Sequence, residues 1–155
     1  MFANGAVYKG YWKNDVAHGS GRMVTAANEI YEGNWENDMK SGYGSFIYQD
    51  GTRYNGNWAL DQQHGTGTEK WSDGSYYEGK YCNGLKEGIG KMNWPDGSYY
   101  KGQFSQNSIH GHGKYVWSDG RRYKGQWDNN KLHGYGRFDW ADGKSYEGNY
   151  VNDLK

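Results

Sequence analysis

A tyrosine returns every 23 residues along this chain, at Tyr8, Tyr31, Tyr54, Tyr77, Tyr100, Tyr123 and Tyr146. No insertion or deletion breaks the register. A fixed period of this length restricts the chain to a repeat array, in which each unit is one supersecondary element stacked on its neighbours. Glycine follows the same lattice. Gly10, Gly33, Gly56, Gly79, Gly102, Gly125 and Gly148 sit two residues after the tyrosines. G-x-G pairs run from Gly19/Gly21 to Gly134/Gly136, and Gly5, Gly51, Gly74, Gly97, Gly120 and Gly143 mark turns. Of the 26 glycines, only Gly84 lies off the lattice.

Within a unit, Tyr123, Gly125 and Trp127 alternate with Lys124 and Gln126. Gly134, Gly136, Phe138 and Trp140 alternate with Tyr135, Arg137 and Asp139. A period of two predicts two strands per unit, each with one aromatic and one polar face. One aromatic column holds Trp12, Trp35, Trp58, Tyr81, Phe104, Trp127 and Tyr150. A second holds Trp71, Trp94, Trp117 and Trp140, with Tyr48 and Thr25 ahead of it. The Asp-Gly pairs from Asp50-Gly51 to Asp142-Gly143 predict tight turns, because glycine accepts positive φ. The other connection, such as Asp128 to His133, reads as a polar loop of about six residues. The expected fold is all-β: an antiparallel hairpin meander forming one elongated, twisted sheet rolled into an open trough, with no helical domain. Residues 1–155 form a single array of about six and a half units from Tyr8 to Lys155, with 1–7 as a lead-in in register. Repeat one departs from the pattern, with Thr25 for Trp and Ala27-Asn28 for Asp-Gly, and reads as an adapted cap.

Hydrophobic residues make up 34% of the chain and aromatic residues 18%. Tyr and Trp therefore supply most of the buried area, each with a polar atom that needs a partner. The 18 basic residues balance 18 acidic ones. A neutral chain has no global field for nucleic acid or an anionic membrane, so no nucleic-acid partner is expected. The single cysteine, Cys82, allows no internal disulfide and fits a reducing compartment. No apolar run approaches the ~20 residues of a membrane span, and no signal peptide is recognisable. These readings point to a cytoplasmic location.

No catalytic constellation stands out, and neither a cofactor nor a metal is expected. His18, His64, His110 and His133 share a column with Ser41 and Glu87. Equivalent residues in adjacent repeats stand roughly 10 Å apart, too far to share one zinc ion bound at ~2.1 Å. The column therefore reads as turn-closing, with His110 and His112 the exception to weigh as a pair. The G-x-G pairs lie in strands, ahead of neither a helix nor a Lys-Ser/Thr, and are not phosphate loops. Glu69 interrupts a mostly apolar column of Met23, Phe46, Met92, Tyr115 and Phe138. It is either open to water or waiting for a basic group on a partner. The densest basic cluster is Arg121, Arg122 and Lys124, with Lys131 and Arg137 nearby. It is the candidate contact for anionic lipid, although Asp119, Asp128 and Asp139 dilute it.

A single rolled sheet cannot cover all its own rings. Trp12, Trp35, Trp58, Tyr81, Trp127, Trp71, Trp94, Trp117 and Trp140, with Glu69, are the candidate lining of a partner-binding groove for an extended peptide or amphipathic helix. Tyr146, Gly148 and Tyr150 open a seventh unit whose partner strand does not follow. Either the chain continues past Lys155, or the last strand is an exposed edge and a candidate for self-association as a homodimer.

The pattern Tyr-x-Gly-x-Trp, His-Gly-x-Gly and Trp-x-Asp-Gly resembles MORN (membrane occupation and recognition nexus) repeats over nearly the whole chain. The resemblance implies a non-enzymatic protein-interaction or scaffold module, as in ciliary radial-spoke heads, axonemal and cytoskeletal assemblies. Its alternatives are a membrane phospholipid-binding module, and the regulatory array of a larger enzyme such as a phosphatidylinositol phosphate kinase.

Overall fold

The computed structural model describes residues 4–154. Thirteen strands are hydrogen-bonded to their neighbours in sequence order to make one open sheet, and the described residues include no helix. Contacts divide the chain into two units. One runs up to Asp73 and includes Tyr81–Gly84; the other comprises Gly74–Lys80 and the residues from Leu85 on. The first unit carries β1 (Val7–Lys13), β2 (Val16–Val24), β3 (Ile30–Glu36), β4 (Met39–Ile47), β5 (Arg53–Ala59) and β6 (Gln62–Lys70). β7 (Tyr76–Cys82) is divided between the units. The second unit carries β8 (Leu85–Asn93), β9 (Tyr99–Ser105), β10 (Ser108–Val116), β11 (Arg122–Asp128), β12 (Lys131–Asp139) and β13 (Ser145–Tyr150).

The repeated tyrosine explains the repeated glycines. Gly33 on β3 faces Gly44 on β4, and the Tyr31 ring lies over both. A Cβ on Gly44 would overlap the Tyr31 hydroxyl, and one on Gly33 would collide with the Gly44 backbone. The hydroxyl donates to the Asn34 carbonyl at 2.7 Å. Tyr54 repeats this at Asn57 (2.8 Å) and Tyr123 at Gln126 (2.9 Å). Trp35 then packs edge-on between Tyr8 and Tyr31, with centroids 5.2 and 5.0 Å away, and its indole N–H donates to the Gly21 carbonyl at 3.1 Å. Trp58 and Trp127 make the same bond to Gly44 and Gly113. These tyrosines and tryptophans thus have their polar atoms satisfied, whereas the buried Tyr150 hydroxyl at the last strand has no partner among the described residues. Tyr31, Tyr54, Tyr77, Tyr100 and Tyr123 are fully buried. Burying one such ring removes ~150–250 Å² from water, a gross ~4–6 kcal/mol against ~1 kcal/mol net for its hydrogen bond. Ring burial therefore sets the core, and the hydrogen bonds fix its geometry.

The turns reverse the expectation from the sequence. The connection expected to be a six-residue loop is a two-residue turn: Asp128 pairs with Lys131, and Asn129 and Asn130 alone cross over, both at positive φ (47° and 71°). That is the backbone of a type I′ hairpin. Asn37-Asp38, Leu60-Asp61 and Gln106-Asn107 do the same. The Asp-Gly pairs instead sit inside longer connections. In residues 48–52, Tyr48 N–H donates to Thr52 O and Gly51 N–H to Tyr48 O, while Asp50 Oδ1 accepts from Thr52 N–H.

Each type I′ turn also clasps the one before it. Asp38 Oδ1 accepts the Ala17 amide at 2.6 Å, and Asp61 that of Lys40 at 2.6 Å. Asn107 takes Lys86, Asn130 takes Ile109 and Asp153 takes Leu132. Gly84 holds the same position without a side chain. Part of the histidine column serves the same turns: His64 Nδ1 accepts from Asn83 N–H at 3.4 Å and His110 Nδ1 from Asn129 N–H at 3.3 Å, while Glu87 accepts from Gln106 N–H at 2.7 Å. The buried Nδ1 atoms of His18 and His133 make no such bond among the described residues.

Candidate binding cleft

The two aromatic columns separate. Trp35, Trp58, Tyr81, Phe104, Trp127 and Tyr150 are 3–6% exposed, so these rings form the interior and line no open groove. The reason is their wedging between successive repeat tyrosines. Trp12, edge-on to Tyr8 at 4.8 Å, stays 46% exposed. Trp71, Trp94, Trp117 and Trp140 are half-buried at the start of the longer connections. Trp94 stacks on Tyr115 (5.1 Å), and Trp117 and Trp140 pack at a tilt against Phe138 (5.3 and 4.5 Å).

In the first unit this packing opens into a cleft of about 490 Å³, lined chiefly by Glu29, Tyr48, Asp50, Glu69 and Trp71. The register of β5 and β6 sets Glu69 opposite Tyr54, at the place where other repeats put an apolar ring or methionine. Tyr81 donates its hydroxyl to Glu69 Oε1 at 2.8 Å. Glu29 Oε2 accepts from Gln49 N–H at 3.1 Å, and Gln63 Nε2 donates to the Tyr48 hydroxyl at 3.1 Å. Burial, then the carboxylates of Glu69, Glu29 and Asp50, push the Tyr48 phenol up to about 12. The Thr52 amide and hydroxyl hold Asp50 below its ordinary value. No lysine, arginine or histidine is among the lining residues. Three carboxylates, an indole and a phenol converge there, an arrangement complementary in charge to a cation.

Of the residues singled out in the sequence, the structure brings Glu69 and Trp71 together here. Glu29 and Asp50 escaped that reading. The signal was present in the column two residues before each tyrosine, where Glu29 replaces the small hydroxyls Thr52, Ser75 and Ser98, all buried. The basic trio does not form one cluster. Arg121 binds Asp119 at 2.8 Å and lies 5.1 Å over the Trp117 ring, whereas Arg122 and Lys124 continue along β11. At β13, Tyr146 donates to Asn149 O at 3.2 Å and Tyr150 packs edge-on to Tyr123 at 5.5 Å. Gly148 pairs with Gly136.

Among solved structures, the chain is similar to the SAS-4 (dCPAP) TCP domain of Drosophila melanogaster, solved with a proline-rich motif of Ana2. Identity is 15% over 85% of this chain and 73% of that one, with a TM-score of 0.51. A TCP10 domain of Danio rerio CPAP, in complex with a STIL peptide, matches at 13% identity over 96% and 84% of the two chains, with a TM-score of 0.30. Among curated proteins no sequence matches. The MORN repeat model matches residues 8–26, 31–53, 54–76, 77–99, 100–121 and 123–145. With that span covered, and with each matched stretch folded on the same tyrosine-over-glycine hairpin, the chain belongs to the MORN-repeat family.

Proposed function

We propose that this array is a non-enzymatic protein-interaction module, and that its first unit holds a partner segment by a basic side chain seated in the Glu69–Trp71 cleft. The observation that carries this lies in the second unit, 69 residues further on. There Trp117, Asp119 and Arg121 occupy the positions of Tyr48, Asp50 and Thr52. Arg121 binds Asp119 at 2.8 Å with its guanidinium over the Trp117 ring. The second unit supplies its own arginine to this acid–aromatic arrangement. The first unit has Thr52 there instead, and adds Glu29 and Glu69 to the acid side. A partner's arginine is suited to complete it, with its guanidinium on the carboxylates and its stem on Trp71. The SAS-4 TCP domain, a similar sheet, was solved holding a proline-rich motif. The basic residue expected here follows from the cleft alone. The proposed setting is a cytoskeletal or ciliary assembly, in keeping with arrays that this chain resembles; a tagged copy that labels neither structure in ciliated cells removes that part of the proposal.

The test is fluorescence polarisation with a fluorescein-labelled peptide of alternating arginine and leucine. Saturable binding is expected, weakened at least ~10-fold by Glu69→Gln, since close charge pairs across interfaces couple by ~1.5 kcal/mol or more. Gln still accepts the Tyr81 hydroxyl, so the fold is spared. Equal binding by the Glu69→Gln protein, or equal binding of a glutamate–leucine peptide to this cleft, overturns the reading.

A further inference from the structure

On the polar face of the second unit, five cations stand directly across from one another. Lys91 pairs with Lys101, Lys101 with Lys114, Lys114 with Lys124, and Lys124 with Arg137. The row stops at Glu147, opposite Arg137. These residues alternate along their strands with Met92, Tyr100, Tyr115, Tyr123 and Phe138, and so point away from the aromatic side. Like charges directly opposite in a sheet repel. Arg137 is eased by Asp139 at 3.1 Å, and the Lys91 ammonium lies 4.7 Å over the Tyr99 ring. Among the described residues, Lys101, Lys114 and Lys124 have no carboxylate partner.

Beside this row runs a bare floor. The Tyr100 and Tyr123 rings on the other side require Gly102, Gly113, Gly125 and Gly136, which leave a cleft of about 750 Å³ between the cationic side chains. Ile89 and Tyr135, each 53% exposed, add apolar surface, and no acidic side chain is among the lining residues.

We propose that this cleft binds a short acidic segment of a partner protein. Three strand spacings separate Lys101 from Arg137, ~14 Å, which four or five extended residues cover at ~3.3 Å each. A long polyanion such as nucleic acid would run past the row onto Asp139 and Glu147. A chain one residue wide reaches the glycine floor and can set an apolar side chain against Ile89 or Tyr135. A flat lipid surface meets only the lysine tips.

The probe is a fluorescein-labelled peptide of alternating glutamate and leucine, followed by polarisation at low ionic strength. The expected result is saturable binding that disappears toward roughly 0.5 M salt and weakens at least ~10-fold in Lys114→Glu and Lys124→Glu. Arg22→Glu, on the corresponding row of the first unit, and Glu69→Gln leave it unchanged, so this site and the first unit's cleft fail separately. Lys114→Glu also raises the melting temperature, because it sets opposite charges across from Lys101 and Lys124; this separates lost binding from lost fold. Should that variant not fold, Lys124→Gln decides, with an expected weakening of at least ~3-fold. Absence of saturable binding, or reversal variants that bind as well as the parent, overturns the proposal. So does tighter binding to phosphatidylserine vesicles than to the peptide, with the same variants weakening it, which would make the face a membrane contact.

Discussion

The two units repeat the same kind of interior and differ in what each attaches to it. In both, a repeat tyrosine covers a glycine pair and a second ring wedges against it. Their polar faces diverge. The row across β1–β6 reads Lys9, Arg22, Glu32, Ser45, Asn55 and Thr68, with Arg22 and Glu32 4.0 Å apart. The row across β8–β12 is wholly cationic. The long connections diverge in the opposite sense: Phe138 and Arg121 fill in the second unit what Glu69 and Thr52 leave open and acidic in the first. The rings dictate the shape of the hairpin, and the positions they do not touch are free to carry charge. Specificity in this protein therefore resides in departures from the repeat.

If the interior is common to both units, damage to it should be equal in both. The largest effect is alkaline. Burial raises Tyr31 and Tyr54 in the first unit, and pushes Tyr77 and Tyr123 in the second up to about 12, against ~10 in the unfolded chain. A raised tyrosine leaves stability intact below pH 10 and removes it as pH rises from ~10 toward ~12, where the unfolded chain ionises first. Ionisation of the buried tyrosines and loss of circular dichroism should coincide over that window; ionisation of the buried set with the fold intact would contradict the packing. Next come Gly44→Ala and Gly113→Ala, whose Cβ atoms meet the Tyr31 and Tyr100 rings. Each should lose about 3 kcal/mol in urea melts, and a loss confined to one unit would break the comparison. Tyr54→Phe and Tyr123→Phe should each lose about 1 kcal/mol by removing the bond to the Asn57 or Gln126 carbonyl. The smallest change is a gain. Leu60 is held at φ 50°, and Leu60→Asn should add roughly 0.5 kcal/mol, visible as a rise in melting temperature.

The tyrosine and glycine columns announced the strands, their faces and their pairing, because a period of two within a period of 23 leaves few alternatives. The turns were less legible. Leu60-Asp61, Gln106-Asn107 and Asn129-Asn130 carry no glycine, and the polar residues flanking the last of these, Asp128 and Lys131, are strand rather than loop. Alternation told which side Trp58 faces, but its cover is Tyr31, one repeat away. The cationic row was hidden for the same reason. Its members lie 10 and 13 residues apart by turns, and become neighbours only when the register is known.

The clasp between successive type I′ turns makes the array resemble a riveted strip, each rivet an Asp or Asn side chain through the preceding backbone amide. One rivet is absent. Gly84 keeps the backbone bond to the Gln63 carbonyl at 2.9 Å but offers no side-chain acceptor to the Gln63 amide. Under tension, or in the slow breathing that lets solvent deuterons in, that hairpin edge gives way ahead of those at Lys40 and Lys86. A protein tugged by its partners would yield first at a place written into it by a single missing side chain.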